Sequence, residues 1–374
     1  MESDQSKEHE HVPVITANFA PFRLVLREED VWNPSIEQIN RRTYDYVKLH
    51  RMSLFIDIGI LPLSLGLRFD GTLVLPATNE LANPESALSH FNRFLCDMLL
   101  GGVYCEAVSP VDVRLGSLSH SAYCKTIGGN RGRESGFHDA ICTTAAGSLD
   151  AVQLLKPEII HVDEVRKASD LGRLRFTHLS PLVPETLLHG TTFFARNQWA
   201  DSLVHLWTST EQIVEGIWLE RLLDGPEVAG ITAGRRRAFL SDSRTWTVAT
   251  RLEVLSRMSL LPDDTYALLD VARQGRNKFA HTGAIPSSEV AEAALTGLLQ
   301  LVSLRTTAFK DTTSLRDVTE LVKDRSRLFA SWDRQGKPVE GVTHWMEIPP
   351  IPGDQHWGDR PFEIIEELQL KKLK

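Results

Sequence analysis

The segment from Tyr266 to Gly283, YALLDVARQGRNKFAHTG, gathers side chains that move protons and hold anions. A histidine such as His281 can give or take a proton near neutral pH. Arg276 is a permanent cation whose planar fork matches carboxylate or phosphate oxygens, a geometry lysine does not reproduce. Asn277, beside it, both donates and accepts. Read as a helix, the stretch carries an apolar stripe of Leu268 or Leu269, Ala272 and Phe279. Arg276 lies four residues after Ala272 and three before Phe279, along that packed face. Arg273, Asn277 and His281 follow at four-residue intervals and make a second, polar face. Arg276 stands about 100° round the helix from it. Gly283 is a natural left-handed stop, so His281 falls in the last turn, where the helix dipole favours imidazolium.

The elements that must position these residues also read as helical. Pro262 and Asp263-Asp264 are good starting chemistry for the motif helix. A long first helix is expected from about Ala195 to Leu223, with Trp199, Leu203, Trp207, Val214 and Trp218 as its apolar stripe. Glu211 falls on that stripe, and a carboxylate there must be paired or protonated. It is either a structural ion-pair partner or a carboxylate that positions an active-site base. A second helix starts at Arg235 or Ser243 and ends near Leu260, and a fourth runs from about Ser288 to Phe309.

Arg276-Asn277-Lys278-Phe279-Ala280-His281 matches the R-x4-H motif of HEPN domains, including the polar residue that follows the arginine. The context matches too: Leu206-Trp207 to Glu211 on a long first helix, a basic second helix, and the motif closing a third. Over roughly Thr192 to Lys310 the chain resembles the HEPN superfamily and is similar to its ApeA-like branch. The resemblance implies a metal-independent endoribonuclease that acts as a homodimer, with two motifs facing each other across a cleft. His281 would then be general base or acid on the ribose 2′-hydroxyl or the leaving 5′-oxygen. Arg276 would bind the scissile phosphate and stabilise the pentacoordinate state, and Asn277 would orient the histidine or a phosphate oxygen. The products would be a 2′,3′-cyclic phosphate and a 5′-hydroxyl. The chemistry is coherent, because RNA supplies its own nucleophile and the protein need only move protons and stabilise charge. Arginine is no acid at neutral pH, so the histidine carries the proton. Two transfers are easiest with a second copy. Gly283 stands where HEPN toxins tuned by nucleotidyl addition often carry tyrosine, so that control is not expected here. Some HEPN bundles keep the motif without cleaving RNA, which makes a non-catalytic scaffold for protein or RNA partners the alternative.

Composition bounds these readings. The chain has 374 residues, 42% apolar and 24% charged, which excludes collagen, coiled coil and disorder throughout. A net charge of −8, from 41 basic and 49 acidic residues, excludes a uniformly basic nucleic-acid coat. Locally the balance reverses: from Gly230 to His281 nine basic residues face five acidic ones, a surplus of +4. Arg235, Arg236, Arg237, Arg273 and Lys278 belong to this island and are the expected contacts to an RNA backbone. Four cysteines in so long a chain make no disulfide framework. The longest apolar stretch, Met52 to Leu67, contains Asp57 and Pro62 and falls short of a membrane span, so no membrane partner is expected. The opening MESDQSKEHEH lacks a signal layout, and a cytoplasmic location is the default.

The N-terminal half reads differently. VPVIT, FRLVLR, SLFIDIG, LSLGLRF and TLVLP are strand-like and separated by Pro, Gly and Asn, with one helix from roughly Glu80 to Leu100. Two His-x3-Cys units, His120 with Cys124 and His138 with Cys142, invite a zinc reading. On a strand, positions four apart are about 13 Å distant, and no C-x2-C accompanies them, so a hairpin with a Gly-rich loop is simpler and no metal is expected. That loop, Gly128 to Gly136, lacks the ending of a P-loop, and its Arg131 and Arg133 read as solvated charges at a flexible tip. No G-x-S-x-G elbow is present.

The expected organisation is therefore α+β: a β-rich domain followed by an all-α HEPN-like bundle. Residues 1–11 are expected to be disordered, 12–188 to form an α+β sensor or regulatory domain, and 189–335 to form the bundle. Residues 336–374 read as a Pro/Gly-rich linker and an amphipathic tail helix. The expected partners are RNA, a second copy of the chain and a regulatory protein held by the N-terminal domain. No cofactor is expected.

Overall fold

The computed structural model describes residues 11–60, 63–79, 81, 84–119, 122–129, 131–143, 153–223, 234–306 and 315–330; the expected linker and tail helix lie outside them. The short β-prone runs form Val12–Ala17 (β1), Arg23–Leu26 (β2), Met52–Ile60 (β3), Leu63–Arg68 (β4) and Leu73–Pro76 (β5). Val113–Leu118 (β6), Cys124–Gly128 (β7) and Glu158–His161 (β8) follow. Six strands make one sheet in the order β3-β4-β5-β1-β6-β7, each neighbouring pair antiparallel. β2 and β8 pair separately and in parallel. On β1, Ile15 and Ala17 join one buried cluster while Val14 joins another across the sheet, the period-two alternation of a strand covered on both faces. Arg51 bridges to Tyr123, Met52 N–H donates to the Ala122 carbonyl at 2.8 Å, and Cys124 N–H donates to the His50 carbonyl at 2.9 Å. These bonds tie the two edge strands together at one end, so the sheet curls and little ladder is left open there.

Two short helices, Ile36–Asn40 (α1) and Tyr46–Leu49 (α2), fill the connection from β2 to β3. Pro84–Leu100 (α3) buries Phe91, Leu95 and Leu99 in the main core, as its helical spacing requires. β6 and β7 are the two arms of a hairpin, but the second His-x3-Cys is helical. Arg133–Ile141 (α4) carries His138, and Cys142 caps it. Capping wins over strand alternation here: the Ser135 hydroxyl accepts from the Gly132 N–H at 2.9 Å, and Asp112 accepts from the Ser135 N–H at 2.8 Å. Arg131 and Arg133 are accordingly not at a free loop tip. Arg131 pairs with Asp139 on α4 at 2.9 Å, and Arg133 opens the helix. Val162–Phe176 (α5) crosses α3 at close range. A Cβ on Gly101 would overlap the Ala168 carbonyl, and one on Gly172 would overlap that of Asp97.

Pro184–Ala195 (α6) and Trp199–Trp218 (α7) begin the helical half, with a π-helical turn over Leu219–Leu223. Arg235–Ser241 (α8), Val248–Arg257 (α9), Asp263–Thr282 (α10), Ser288–Thr306 (α11) and Leu315–Ala330 (α12) complete it. The single second helix expected before the motif is thus two, α8 and α9. The chain is α+β. One continuous cluster runs from Ile15 and Leu73 in the sheet, through Leu95 and Leu187, to Leu298 and Val322. α6, which spans the expected junction at 188/189, packs on both α3 and α7. No described helix is long and apolar enough to cross a membrane.

Candidate functional site

The motif sits on α10. Asp263 and Asp264 occupy its first turn, where negative charge suits the helix dipole. Gly283 ends it at φ +69°, donating its N–H to the Phe279 carbonyl at 2.8 Å, so His281 lies in the last turn as its spacing predicts. Leu269 and Ala272 are buried between α7 and α11. Gly275 lies against Val290 of α11 and beside Leu203 of α7, and Gly297 of α11 lies against Leu269. These contacts run α10 antiparallel to α11. Tyr266 Oη–H donates to Glu253 of α9 at 2.8 Å, and Arg251 of α9 pairs with Glu215 near the far end of α7. The start of α10 therefore sits at the Trp218 end of α7 and its motif end at the Leu203 end.

Beyond Ala272 the helix rises out of the core. Arg276 and Asn277 are half-buried, Lys278 and His281 exposed. Arg276 Nη1 donates to Asn277 Oδ1 at 3.3 Å and has no carboxylate partner among the described residues. His281 makes no hydrogen bond among them. Arg273, expected to face substrate, is held by Asp270 at 2.6 Å, which offsets its charge and depresses the Asp270 carboxyl by direct hydrogen bonding. Five residues separate Arg276 from His281, which places them about 140° apart on the helix. One copy of the chain therefore aims the two side chains in different directions.

Glu211 does not join them. Trp207 Nε1–H donates to its Oε1 at 2.6 Å, one turn earlier on α7, so the acid on the stripe is satisfied within its own helix. Glu211 lies eight residues beyond Leu203 in one direction and His281 six beyond Gly275 in the other. That is about 20 Å along the bundle at the rise of a helix. The arginine run is farther still. The Trp218 indole N–H donates to the Leu240 carbonyl of α8 at 2.9 Å, docking α8 at the far end of α7, about 30 Å from His281 by the same count. Arg237 is exposed, and the side chains of Arg235 and Arg236 lie outside the described residues.

No family model, curated protein or solved structure matches this chain.

The basic island expected from the local count is thinner in three dimensions. Arg251 is buried against Glu215, Arg257 pairs with Glu253 at 2.9 Å, and Arg273 is held by Asp270. Near the histidine, Arg276 and Lys278 are the cations without a carboxylate partner among the described residues. The N-terminal half holds a second polar group that sequence spacing alone mispairs. His138 and Cys142 converge on Asp70, Arg68 and Thr72, Cys124 reaches the same Arg68, and His120 is outside the described residues. Burial pushes the Cys124 thiol up to about 11 and the Cys142 thiol well above its ordinary value, the reverse of what a metal ligand or nucleophile needs. Among the described residues no group of three or more His, Cys, Asp or Glu side chains could hold a metal ion.

Proposed function

We propose that the protein is an endoribonuclease of HEPN type, built from two copies of α10 facing each other. The observation that carries the reading is the pairing of a half-buried, carboxylate-free Arg276 with an exposed, unbonded His281 at the open end of one helix. Arg276 is anchored by packing and by Asn277, so its guanidinium is oriented without being neutralised. It supplies charge to a phosphate in its pentacoordinate state. His281 moves the proton to or from the 2′-oxygen or the 5′-leaving oxygen. The 140° divergence within one helix is what a second copy repairs, since each copy then offers one acid or base across the cleft. Lys278 adds a backbone contact. On this reading the enzyme needs no metal, works in the cytoplasm, and uses its N-terminal half to sense, recruit or restrain in defence or stress response.

The test is direct. Purified protein, its His281→Ala variant and its Arg276→Ala variant are each incubated with RNA in excess EDTA. Chelator-resistant cleavage that both substitutions abolish, leaving 2′,3′-cyclic phosphate ends, supports the enzyme. Equal activity in all three, or none in the native protein, leaves the non-catalytic scaffold.

A further inference from the structure

A sizeable cavity, lined by none of the motif residues, lies where the N-terminal half meets two helices of the bundle. Its volume is about 770 Å³, within the range of small-molecule sites. Pro21 and Phe22 from the β1–β2 connection, Arg133 and Phe137 from α4, Lys156 from the approach to β8 and Glu158 at its start line one side. Arg196, at the end of α6, and Arg325, on α12, line the other.

The charges in this wall do not balance where it matters. Both oxygens of Glu158 are taken, one by Arg325 at 2.7 Å and one by Arg23 at 3.0 Å. Both oxygens of Glu106 are taken as well, by Arg196 Nε–H at 2.7 Å and by the Tyr104 hydroxyl at 3.2 Å. Arg325 is further fixed over the Tyr104 ring, 5.4 Å from its centre. Arg196 and Arg325 are thus preorganised, each held by a carboxylate that a second donor also engages. Lys156 has no ion pair among the described residues, and Arg133 has only a 3.7 Å contact with its chain neighbour Glu134. Burial raises the Glu134 carboxyl, which weakens even that opposition. The surplus is cationic. Beside it stands an apolar wall: Phe22 and Phe137 meet edge to face at 4.9 Å, with Pro21 and Pro157 flanking them.

We infer that this cavity binds a small organic phosphate carrying a flat ring, a nucleoside monophosphate in size, with Arg133 and Lys156 on the phosphate and the Phe22–Phe137 wall against the ring. Arginine forks recognise phosphate oxygens bidentately, and aromatic walls accept a planar ring without demanding a particular base. A bound molecule would touch both α4 and the helices α6 and α12, so it would clamp the two halves together and stabilise the fold by mass action.

The test is calorimetric titration of the full-length protein with the four nucleoside monophosphates, adenosine and ribose 5-phosphate, with thermal melting alongside. At least one nucleoside monophosphate should bind saturably and raise the melting temperature, with adenosine and ribose 5-phosphate each at least tenfold weaker. The charge reversal Arg133→Glu with Lys156→Glu, at two exposed positions, should weaken binding more than tenfold without lowering the melting temperature of the free protein. No saturable binding of any nucleoside monophosphate at millimolar concentration overturns the inference. So does binding that survives the reversal, or ribose 5-phosphate binding as tightly as the nucleotides. RNA cleavage does not enter these readouts, so failure here leaves the proposed nuclease untouched.

Discussion

The Nδ1–H of His138 donates to the Asp70 carboxylate at 2.8 Å inside a core where both side chains are almost free of solvent. The same carboxylate accepts from Arg68 Nη2 at 2.8 Å and from the Thr72 hydroxyl at 2.9 Å, while Asn18 supports that hydroxyl at 2.8 Å. Because the carboxylate only accepts, the proton in the His138–Asp70 bond belongs to the histidine. This knot joins β4, β5 and α4, and it explains why the second His-x3-Cys unit turned out to be structural.

Removing Asp70 leaves Arg68 and His138 buried without their acceptor. Asp70→Ala is expected to cost about 3–5 kcal/mol in urea unfolding followed by circular dichroism, the range for breaking a buried charge pair. Arg68 and His138 hold the Asp70 carboxyl far below the usual carboxylate range, against the opposing effect of burial. A depressed carboxyl in the folded state contributes stability that is present above its unfolded value near 3.8 and is lost as pH falls below it. The native protein should therefore weaken steeply below about pH 4, and the Asp70→Ala variant should show a shallower acid decline. An equally steep decline in the variant would refute the assignment.

Asp97 works in the opposite sense. Burial raises its carboxyl to about 6, although Arg93 lies 3.2 Å away and pulls it down. A raised carboxyl favours the folded state most at low pH, and that contribution is lost as pH rises from 3.8 through 6. The loss is at most about 3 kcal/mol. Urea midpoints of Asp97→Asn measured at pH 4.5 and 7.5 should differ less than those of the native protein. Identical differences would remove Asp97 from the account.

The crossing of α3 and α5 depends on two missing side chains. Gly101→Ala or Gly172→Ala would drive a Cβ into a backbone carbonyl of the other helix, which cannot swing aside as a side chain can. Each should cost on the order of 3 kcal/mol in chemical denaturation, at the upper end for overpacking. A loss below about 1 kcal/mol would show that the helices separate freely.

At the motif, His281→Ala should lower RNA cleavage by about 10²- to 10⁴-fold, the usual contribution of a positioned acid or base. Arg276→Lys should also lose activity, because an ammonium lacks the fork that Asn277 helps to orient. Glu211→Gln should leave the rate unchanged, since an amide oxygen can still accept from Trp207 and the carboxylate is far from His281. A large rate loss in Glu211→Gln would reverse the separation argued from the helix directions.

Much of the architecture was legible in the residues themselves. The five strands from Val12 to Pro76, the helix ending at Leu100 and the motif helix ending at Gly283 all follow from local periodicity and stop signals, which tertiary contacts reinforce. α5 and α6 were not legible: charges, threonines and a glycine interrupt their apolar spacing, and they are helices because Gly172 and Gly190 let neighbouring elements pack close. α4 reads in sequence as the arm of a hairpin because its cap is completed by Asp112, outside the segment.

Sequence alone determined that Arg276, Asn277 and His281 share one helical turn and a half, because helix geometry is local. It could not determine which charges stay free. Asp270 takes Arg273, Trp207 satisfies Glu211, and the direction of α7 against α10 carries Arg237 away from the histidine. The cavity between α4, α6 and α12 was hidden for the same reason. Its cations stand up to 192 residues apart in the chain, from Arg133 to Arg325, and only the packed fold gives them a common wall. Pairing and burial are set by distances in space, and those exist only once the chain is folded.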